Sequence, residues 1–377
     1  MEAPYHNKQE CFGCGACAAA CPAGAISMEP DPEGFLYPRA AAARCAGCGR
    51  CAAVCPAKAR LPRREGRFFA VRCKEERVLR SSTSGGAFTL LAREVTARDG
   101  LVCGAVFDES FFVRHILSRD LAPMRKSKYV QSDLSGCYAA VREALDQGNA
   151  VLFTGTPCQC HGLRQFFPER PERLILASLV CRGVHSPGLW REYTAWLGRG
   201  GPLQAYDFRD KRRKNDGHAV AYTVNGTETV VSMAEDRFSR LYNLCLTYRP
   251  SWYACPYARA DNDFDFTLGD FWGVDRLCPR LADGRGTSLV IARGPRAEAL
   301  LSKIERHAWV VPCDPDAAMQ PALTAPAREP FLRKFLFRDY ARKNGDGCCD
   351  IPAILMKYGG GSGAGGAAGR QGPTCAK

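Results

Sequence analysis

Several common features are missing from this sequence, and each absence narrows the class of protein. No apolar stretch approaches the roughly 18–20 residues that are needed to cross a bilayer. The opening residues, MEAPYHNKQE, contain no apolar segment of the kind that a secretory signal requires. The basic residues occur in no helix-turn-helix or RNA-recognition signature. We therefore expect a soluble, cytoplasmic protein with neither a membrane span nor a nucleic-acid ligand.

Cysteine and positive charge, by contrast, are abundant. The 377 residues include 21 cysteines, carry a formal net charge of +13 and are 46% hydrophobic, which is ample for two or three packed units. In a reducing compartment so many thiols serve metals, and their chemistry suggests an oxygen-poor cytosol. The charge is densest at residues 60–80 and 208–215. It indicates either a solvated surface or a surface for acidic partners or a phosphate-bearing cofactor.

Two cysteine runs have the same spacing. They read CFGCGACAAACP at residues 11–22 and CAGCGRCAAVCP at residues 45–56. Disulfides within such closely spaced cysteines would be strained. The order C-x2-C-x2-C-x3-C-P is that of a bacterial two-cluster ferredoxin. The runs therefore predict two [4Fe–4S] clusters, with zinc as the alternative.

In a two-cluster ferredoxin the fourth cysteine of each run binds the cluster of the other run. The predicted ligands of one cluster are Cys11, Cys14, Cys17 and Cys55, and those of its mate are Cys45, Cys48, Cys51 and Cys21. A module of this size would not fold without its metals.

The rest of the chain divides by pattern. We predict an α+β dicluster ferredoxin-like module at residues 1–58 and a basic linker with one short strand at 59–80. Residues 81–200 alternate helices with uninterrupted apolar strands, which indicates an α/β domain with a largely parallel sheet. Residues 201–340 are a mixed β region of the same domain, with a hairpin that turns at Asn225–Gly226. Residues 359–377 are a disordered glycine-rich tail.

Four loops in this domain could together form a flavin site. SSTSGG (81–86) opens a predicted helix and leaves N–H groups for an anion, and KSKYVQS (126–132) offers two lysines and a tyrosine. TGTPC (154–158) follows a strand, where open α/β sheets bind their ligands. TLGDFWG (267–273) holds an aspartate that needs a partner if buried. Taken singly, each is equally an ordinary loop or turn.

These loops occur in an order that resembles the coenzyme F420 hydrogenase/dehydrogenase beta-subunit family. The matching motifs are SSTSGGAF, SKYVQSDL, VLFTGTPCQ, LVCRGVHSP, FRDK, YRPSWYACPYA, FTLGDFWG and GTSLVI. The resemblance implies bound FAD and iron–sulfur clusters, and in several members electron exchange between a ferredoxin-type donor and coenzyme F420. It implies that the flavin is lined by Ser84, Gly85, Gly86, Lys126, Lys128, Tyr129, Gly155, Thr156 and Asp270.

The resemblance also implies a third [4Fe–4S] cluster. Three of its ligand positions map to Cys158, Cys181 and Cys255, but the fourth position is Trp252. Cys160 or Cys245 could replace it, as could water or another ligand, or the cluster is lost. The alternative is that the three thiols are buried apolar cysteines.

Together these observations predict an iron–sulfur flavoprotein oxidoreductase that passes electrons between its clusters, FAD and an organic two-electron acceptor, with F420 as one candidate. The alternative is a non-catalytic relay subunit of a larger oxidoreductase complex. We expect a redox partner protein such as a ferredoxin, or such a complex, and a small-molecule acceptor. No residue is assigned a catalytic role. His161 and His185 follow cysteine-bearing loops and could donate a proton or contact the flavin, but a lone histidine beside a core strand is more often only a hydrogen-bonded core residue.

Overall fold

The computed structural model describes residues 7–212, 218–342 and 349–360. The predicted glycine-rich tail lies outside the described residues except for Gly359 and Gly360, and Gly359 is the last residue of a helix. Within the described part of the chain, no helix is long and apolar enough to cross a membrane.

Twelve α-helices occur in the described residues. They are α1 (Ala16–Ala19), α2 (Arg50–Ala53), α3 (Glu76–Arg80), α4 (Ala87–Thr96), α5 (Cys137–Asp146), α6 (Pro157–Phe166), α7 (Pro187–Leu197), α8 (Arg237–Asn243), α9 (Val274–Leu277), α10 (Gly294–Ile304), α11 (Arg333–Ala341) and α12 (Ile351–Gly359).

The same residues form thirteen strands. They are β1 (Ile26–Pro30), β2 (Leu36–Ala40), β3 (Arg67–Cys73), β4 (Leu101–Phe107), β5 (Val113–Ser118), β6 (Val151–Gly155), β7 (Leu174–Leu179), β8 (Leu203–Asp210), β9 (Ala219–Val224), β10 (Thr227–Ser232), β11 (Phe266–Asp270), β12 (Ser288–Ala292) and β13 (Ala308–Cys313).

The main sheet has eight strands in the order β13-β3-β12-β11-β7-β6-β4-β5. Strands β11, β7, β6 and β4 pair in parallel, whereas β5, β12, β3 and β13 add antiparallel pairings at the two sides. The predicted α/β domain is confirmed, but its sheet is mixed and not largely parallel, since three strand pairings are parallel and four are antiparallel. The carboxyl ends of the four parallel strands meet at one edge, where open α/β sheets bind ligands.

Strand β3 comes from the segment that was predicted to be a basic linker. It reads RFFAVRC, is almost entirely buried and pairs with both β12 and β13. Its partners follow it by more than 200 residues, so local sequence could not reveal that the strand is interior. The main sheet thus begins inside the predicted linker; the domain boundaries otherwise stay a prediction.

Helices cover both faces of the sheet. Leu91 of α4 and Leu301 of α10 pack in one apolar cluster with Val71, Val102 and Val290 of the strands. On the opposite face, α5 and α6 share an apolar cluster with residues of the cysteine module. Leu, Val and Ile dominate these strands because both of their faces are buried.

The predicted hairpin is confirmed as β9–β10 in a three-stranded sheet with β8. Asn225 and Gly226 have φ values of 47° and 76°. Positive φ at both central residues is the requirement of a type I′ turn, which Asn-Gly satisfies at little cost.

The cysteine module has the expected duplicated form. Helices α1 and α2 each begin after a glycine with positive φ, Gly15 at 75° and Gly49 at 71°, and β1 pairs with β2. The module is not a separate body, because Phe12 and Phe35 belong to the same apolar cluster as the α5–α6 face of the sheet. The guanidinium of Arg333 also donates to both carboxylate oxygens of Glu33, at 3.0 and 2.6 Å.

Candidate functional site

The first predicted ligand set surrounds one small cavity. Cys11, Cys14 and Cys17 line it together with Cys55 of the other run, in a space of about 20 Å³. Residues Gly13 and Gly15 turn the chain between these thiols. The crossed arrangement of three thiols from one run and one from the other is the arrangement predicted for a two-cluster ferredoxin.

The second run lies nearer to solvent. Cys48 is exposed, and Cys45 and Cys51 are partly exposed. The Gly47 N–H donates to the Cys45 sulfur at 3.4 Å, and the Ala25 N–H donates to Cys21 at 3.2 Å. Within the described residues, no three Cys, His, Asp or Glu side chains are grouped as ligands of a single metal ion.

Burial controls the ionisation of the inner thiols. It raises the pKa of Cys14 well above the usual thiol value. Burial, followed by the neighbouring charges of Cys11 and Cys55, raises the pKa of Cys17 to about 12. These thiols are therefore protonated at neutral pH unless a cation is bound, so iron must displace their protons.

Arg249 links the first run to the α/β domain. Its side chain is fully buried, and its Nε and Nη2 donate to the carbonyl and the sulfur of Cys11 at 2.6 and 3.2 Å. Its Nη1 donates to the Leu36 carbonyl at 2.9 Å, and its guanidinium stacks 3.6 Å above the Tyr37 ring centroid. A buried cation thus donates directly to one predicted cluster ligand.

A second group of thiols lies on the domain side of the first run. Burial and the neighbouring charges of Cys158 and Cys255 raise the pKa of Cys181, and the charge of Cys158 also acts on Cys14. Cys158 is buried at the start of α6, with its sulfur 3.2 Å from the Thr156 hydroxyl. The three thiols implied as third-cluster ligands are therefore neighbours, while their role as ligands stays a prediction.

Three residues bear on the fourth ligand of a third cluster: Trp252, which occupies the fourth position, and Cys160 and Cys245, which could replace it. Each of them makes other contacts. Trp252 is buried and packs edge-on against Phe35, with ring centroids 5.8 Å apart. Cys160 is fully buried, and its thiol donates to the Gly155 carbonyl at 3.7 Å. Cys245 takes part in a disulfide bond.

A large cavity opens at the carboxyl ends of the parallel strands. It measures about 790 Å³ and is bordered by ends of β7 and β11 and by the starts of α4 and α6. Eight of the nine predicted flavin residues lie on its wall: Ser84, Gly86, Lys126, Lys128, Tyr129, Gly155, Thr156 and Asp270. Cys158, Cys181 and Phe12 border it as well. We call this space the main pocket; that it holds a flavin stays a prediction.

Gly85 lies behind the wall of this pocket. Its N–H donates to the Ser288 hydroxyl at 3.0 Å, so it is not free to meet a phosphate. A Cβ at this position would stand 2.3 Å from the Val71 carbonyl oxygen and 2.5 Å from the Ser288 nitrogen. The structure therefore explains Gly85 by close packing on β3 and β12, not by the approach of a ligand.

The start of α4 provides the features that an anion would need. Gly86 precedes the helix with a φ of 86°, and no side chain caps the first turn. Thr89 in that turn borders the pocket, and its buried hydroxyl has no hydrogen-bond partner among the described residues. Unpaired N–H groups and the helix dipole favour negative charge at this end.

The two predicted lysines have partners already. The Lys126 ammonium pairs with Asp207 at 2.8 Å. Lys128 donates to the carbonyls of Pro123 and Arg125, both at 2.7 Å, and burial lowers its pKa to about 7. In the structure Lys128 therefore holds the 123–128 loop in shape, and its contact with a flavin stays a prediction.

Asp270 belongs to a charged network at the pocket wall. It pairs with Arg209, whose Nη1 donates to the Tyr129 hydroxyl at 2.9 Å and whose Nη2 lies 2.5 Å from His218 Nε2. Burial opposes ionisation, yet Arg209, His218 and the Ser84 hydroxyl together hold the pKa of Asp270 below its usual value. Burial, and then Arg209, lower the pKa of His218 to about 4, so this imidazole is neutral at pH 7.

Sequence reasoning did not single out Arg209 or His218 as site residues. Arg209 had a signal, since it is the arginine of the quoted FRDK motif. His218 had none, because it directly precedes β9 of the predicted hairpin and belongs to no motif that indicates a ligand.

The two histidines that were interpreted as core residues are both fully buried. His161 Nδ1 lies 2.7 Å from the Tyr257 hydroxyl, and its Nε2 lies 2.9 Å from Gln165. His185 is fully buried and stacks on Phe238 at 4.2 Å between ring centroids. Neither of its ring nitrogens has a hydrogen-bond partner among the described residues, so the expected hydrogen bond is wrong for His185.

Two regions of the chain match family models of known proteins. Residues 10–59 match the family model of the 4Fe-4S dicluster domain. Residues 148–316 match the family model of the carboxyl-terminal region of the coenzyme F420 hydrogenase/dehydrogenase beta subunit. The chain is therefore similar to a dicluster ferredoxin domain near its start and, over 148–316, to the carboxyl-terminal region of this beta subunit. The resemblance predicted from the motifs is thus confirmed.

One curated relative and one solved structure extend this finding. The chain is 28% identical over 193 residues to the F subunit of the F(420)H(2) dehydrogenase of Methanosarcina mazei. This match covers 45% of the chain and spans about half of the relative, 53% of its length. The chain also overlaps the F420-reducing [NiFe] hydrogenase complex from Methanosarcina barkeri with a TM-score of 0.41 and 14% identity, over 78% of this chain and 98% of the other. This overlap is too loose to support any conclusion about function.

Proposed function

We propose that this chain is an iron–sulfur flavoprotein oxidoreductase that passes electrons between ferredoxin-type clusters, FAD and an organic two-electron acceptor. One observation carries the proposal. The side chain of Phe12, between Cys11 and Cys14, borders both the small thiol cavity and the main pocket. The Phe12 side chain therefore lies between the proposed ferredoxin-type site and the main pocket and contacts both spaces.

The donors of the small cavity fit a cubane cluster. Four thiols from two runs surround it, as the crossed ligation of a two-cluster ferredoxin requires. Arg249 adds a positive charge where four thiolates and a cluster would add negative charge. The same reasoning assigns the outer cluster to Cys45, Cys48, Cys51 and Cys21.

The main pocket fits a flavin dinucleotide in size and in charge. The start of α4 and the unpaired Thr89 hydroxyl suit a phosphate, and Arg125, Arg182 and Arg209 on the wall add positive charge. Bound FAD would supply the exchange between single electrons and electron pairs that clusters alone do not perform.

The chain's own residues would position the ligand and govern its protons. Arg209 fixes the Tyr129 hydroxyl by donating to it, which leaves the hydroxyl hydrogen free to point into the pocket. His218 is neutral and Asp270 is ionised at pH 7, so neither supplies a proton readily. Apolar side chains such as Leu268 and Trp272 reduce access of water to the same wall.

We propose coenzyme F420 as the first acceptor to test, because the curated relative is named for an F(420)H(2) dehydrogenase. Cys158, Cys181 and Cys255 are proposed to hold a third cluster between the first run and the pocket. With Cys245 in a disulfide and Cys160 turned to the Gly155 carbonyl, the fourth ligand would come from outside these thiols.

A relay subunit of a larger complex is the second candidate. Phe331 and Met356 are 71% and 61% exposed, and the curated relative is named as one subunit of a dehydrogenase. A relay would hold clusters but would not reduce F420 alone. Turnover by the isolated chain therefore separates the two functions.

The test is anaerobic purification followed by iron, sulfide and flavin analysis. We expect about eight iron atoms per chain from the two runs, about twelve with the third cluster, and about one FAD. Zinc without acid-labile sulfide would refute the cluster assignment, and full iron without flavin would favour the relay.

A matched pair of variants tests the pocket. Arg209→Lys keeps the charge but cannot contact Tyr129, His218 and Asp270 together, so we expect FAD affinity to fall about tenfold or more while iron content is unchanged. Arg212→Lys is the control, because Arg212 pairs with Glu228 on an exposed surface. Equal FAD content in both variants would place the flavin elsewhere.

A further inference from the structure

The segment of chain that contains the second cysteine run has basic residues and no acidic one. Residues 34–64 contain seven basic residues and no acidic one: Arg39, Arg44, Arg50, Lys58, Arg60, Arg63 and Arg64. All seven are exposed. We call this set the basic rim. The first run differs, since residues 7–33 contain Glu10, Glu29, Asp31 and Glu33 and one basic residue, Lys8.

Most residues of the basic rim form no ion pair with the rest of the described structure. Within the described parts of the chain, the ion pairs of the rim are Arg63 with Asp261 at 3.5 Å and Arg64 with Asp263 at 3.6 Å. Arg39, Arg44, Arg50, Lys58 and Arg60 take part in no ion pair there. Exposed like charges repel one another and add nothing to stability, so an uninterrupted set of them suits a partner of opposite charge.

Two residues of the basic rim flank the most accessible thiol of the described residues, Cys48. Arg44 and Arg50 directly precede Cys45 and Cys51, and Cys48 between them is exposed. The other exposed residues of this stretch are mostly small, such as Ala43 and Ala46. A partner surface could therefore approach these thiols closely, which one-electron transfer between proteins requires.

We propose that the basic rim is the docking surface for an acidic one-electron carrier protein. The proposal rests on the proposed function, because it assumes that the second run holds a redox centre. Complementary charge would mainly raise the association rate and orient the carrier, with a strong dependence on salt. A nucleic acid would also meet positive charge, but an exposed thiol run at the centre of the surface provides nothing for a base or a phosphate.

The test uses an acidic bacterial-type ferredoxin as the probe, with a basic cytochrome c as the probe of opposite charge. The variant Arg44→Glu/Arg50→Glu is compared with Arg98→Glu/Arg199→Glu. Both pairs are exposed, and both variants change the net charge of +13 by the same four units. Arg98 follows α4 and Arg199 follows α7, so the control alters other surfaces.

We expect the rim variant to lower the second-order rate of electron transfer from reduced ferredoxin at least tenfold at 50 mM salt. The control should change it less than twofold, and 500 mM salt should remove the difference. Dissociation constants for the oxidised probe should shift in parallel, and cytochrome c should bind the rim variant better. Equal effects of both variants, or a rate that rises with salt, would overturn the proposal.

Two further outcomes are distinguished on the same samples. Loss of duplex DNA binding in the rim variant, with unchanged ferredoxin binding, would assign the surface to nucleic acid and overturn the proposal. Iron and flavin contents report on the proposed function separately. Protein with full iron and normal docking but no flavin would contradict the proposed function and leave the docking surface supported.

Discussion

The two cysteine runs are alike in local structure and unlike in their surroundings. Gly13 and Gly47 have φ values of 67° and 68°, and each run starts a four-residue helix after a second glycine. A Cβ added at Gly13 would stand 2.0 Å from Gln131 Nε2, whereas a Cβ at Gly47 would meet nothing within 4 Å. The first run is packed into the α/β domain and the second faces solvent.

This difference shows how two copies of one motif come to lie in different environments, one beside the main pocket and one at the surface. Spacing and glycine positions determine the local path of the chain, which is why both runs have it. Contacts from distant residues determine which run lies beside the main pocket and which remains accessible to a partner. If the runs hold clusters, the first is the inner site and the second is the outer one.

Replacing one thiol in each run should produce the largest difference between the two runs. Cys14→Ser removes an inner ligand whose surroundings include Tyr138 and Gly162 of the domain, so we expect loss of the inner cluster and a less stable protein. Cys48→Ser should lose the outer cluster and leave the domain stable. Iron content and thermal unfolding, measured anaerobically, check this. Equal losses of stability would contradict the assignment of inner and outer sites.

Alanine substitutions at Gly13 and Gly47 test the same difference in packing between the two runs. Gly13→Ala and Gly47→Ala both place a side chain at positive φ, at a cost of about 1–2 kcal/mol. Only Gly13→Ala also displaces Gln131 and Arg249, which should add about 1–3 kcal/mol. Urea-induced unfolding measures the difference. If the two variants were equally stable, the packing of the first run would have to be looser than described.

Acid should weaken the support of the inner run. Burial lowers the pKa of His161 from 6.5 to about 4, and this ring holds the Tyr257 hydroxyl, whose own ring packs on Phe12 at 5.3 Å. A depressed histidine pKa stabilises the fold above pH 6.5, and this contribution is lost as the pH falls towards 4. Between pH 7 and 5 the loss is about 2 kcal/mol.

The variant His161→Gln should remove that pH dependence, because glutamine keeps a hydrogen bond to Tyr257 without titrating. Unfolding free energies at pH 7, 6 and 5 test this, and iron content shows whether the inner cluster is lost first. An unchanged slope in the variant would mean that other buried groups cause the acid sensitivity.

The smallest effect concerns the reduction potential of the inner cluster. The Nη2 group of Arg249 donates to the Cys11 sulfur, and such donation favours the reduced, more negative state. Arg249→Lys should lower the inner potential by about 50 mV, which corresponds to roughly 1 kcal/mol for one electron. Redox titration followed by EPR measures it, with the outer cluster of the same sample as the control. A shift of both potentials would point to a global change.

Much of this fold follows from local sequence. The cysteine spacing, the Asn225–Gly226 turn and the uninterrupted apolar strands within residues 81–200 depend on residues that are close in sequence, and all three features were predicted. Most of the loops at the strand ends were also predicted, since parallel strands bring their carboxyl ends to one edge.

The rest depends on contacts between distant residues. Arg249 and Cys11 are 238 positions apart, so no pattern could show that the first run, not the second, is packed inward. Strand β3 was predicted as a short strand within the linker, but its interior place in the main sheet was missed because its partners come much later in the chain. Gly85 was expected to meet a ligand, since its packing against Ser288 is equally invisible to local sequence.

The bond between Arg333 and Glu33 also has a consequence for biosynthesis. The two residues are separated by 300 positions, so a ribosome that adds about 5–20 residues per second completes Arg333 some 15–60 seconds after Glu33. During this interval the cysteine module has left the ribosome, but the last helices have not yet been synthesised and cannot bind to it. Delivery of iron and sulfide to the thiols of the first run has its easiest access then, before the completed chain closes over them.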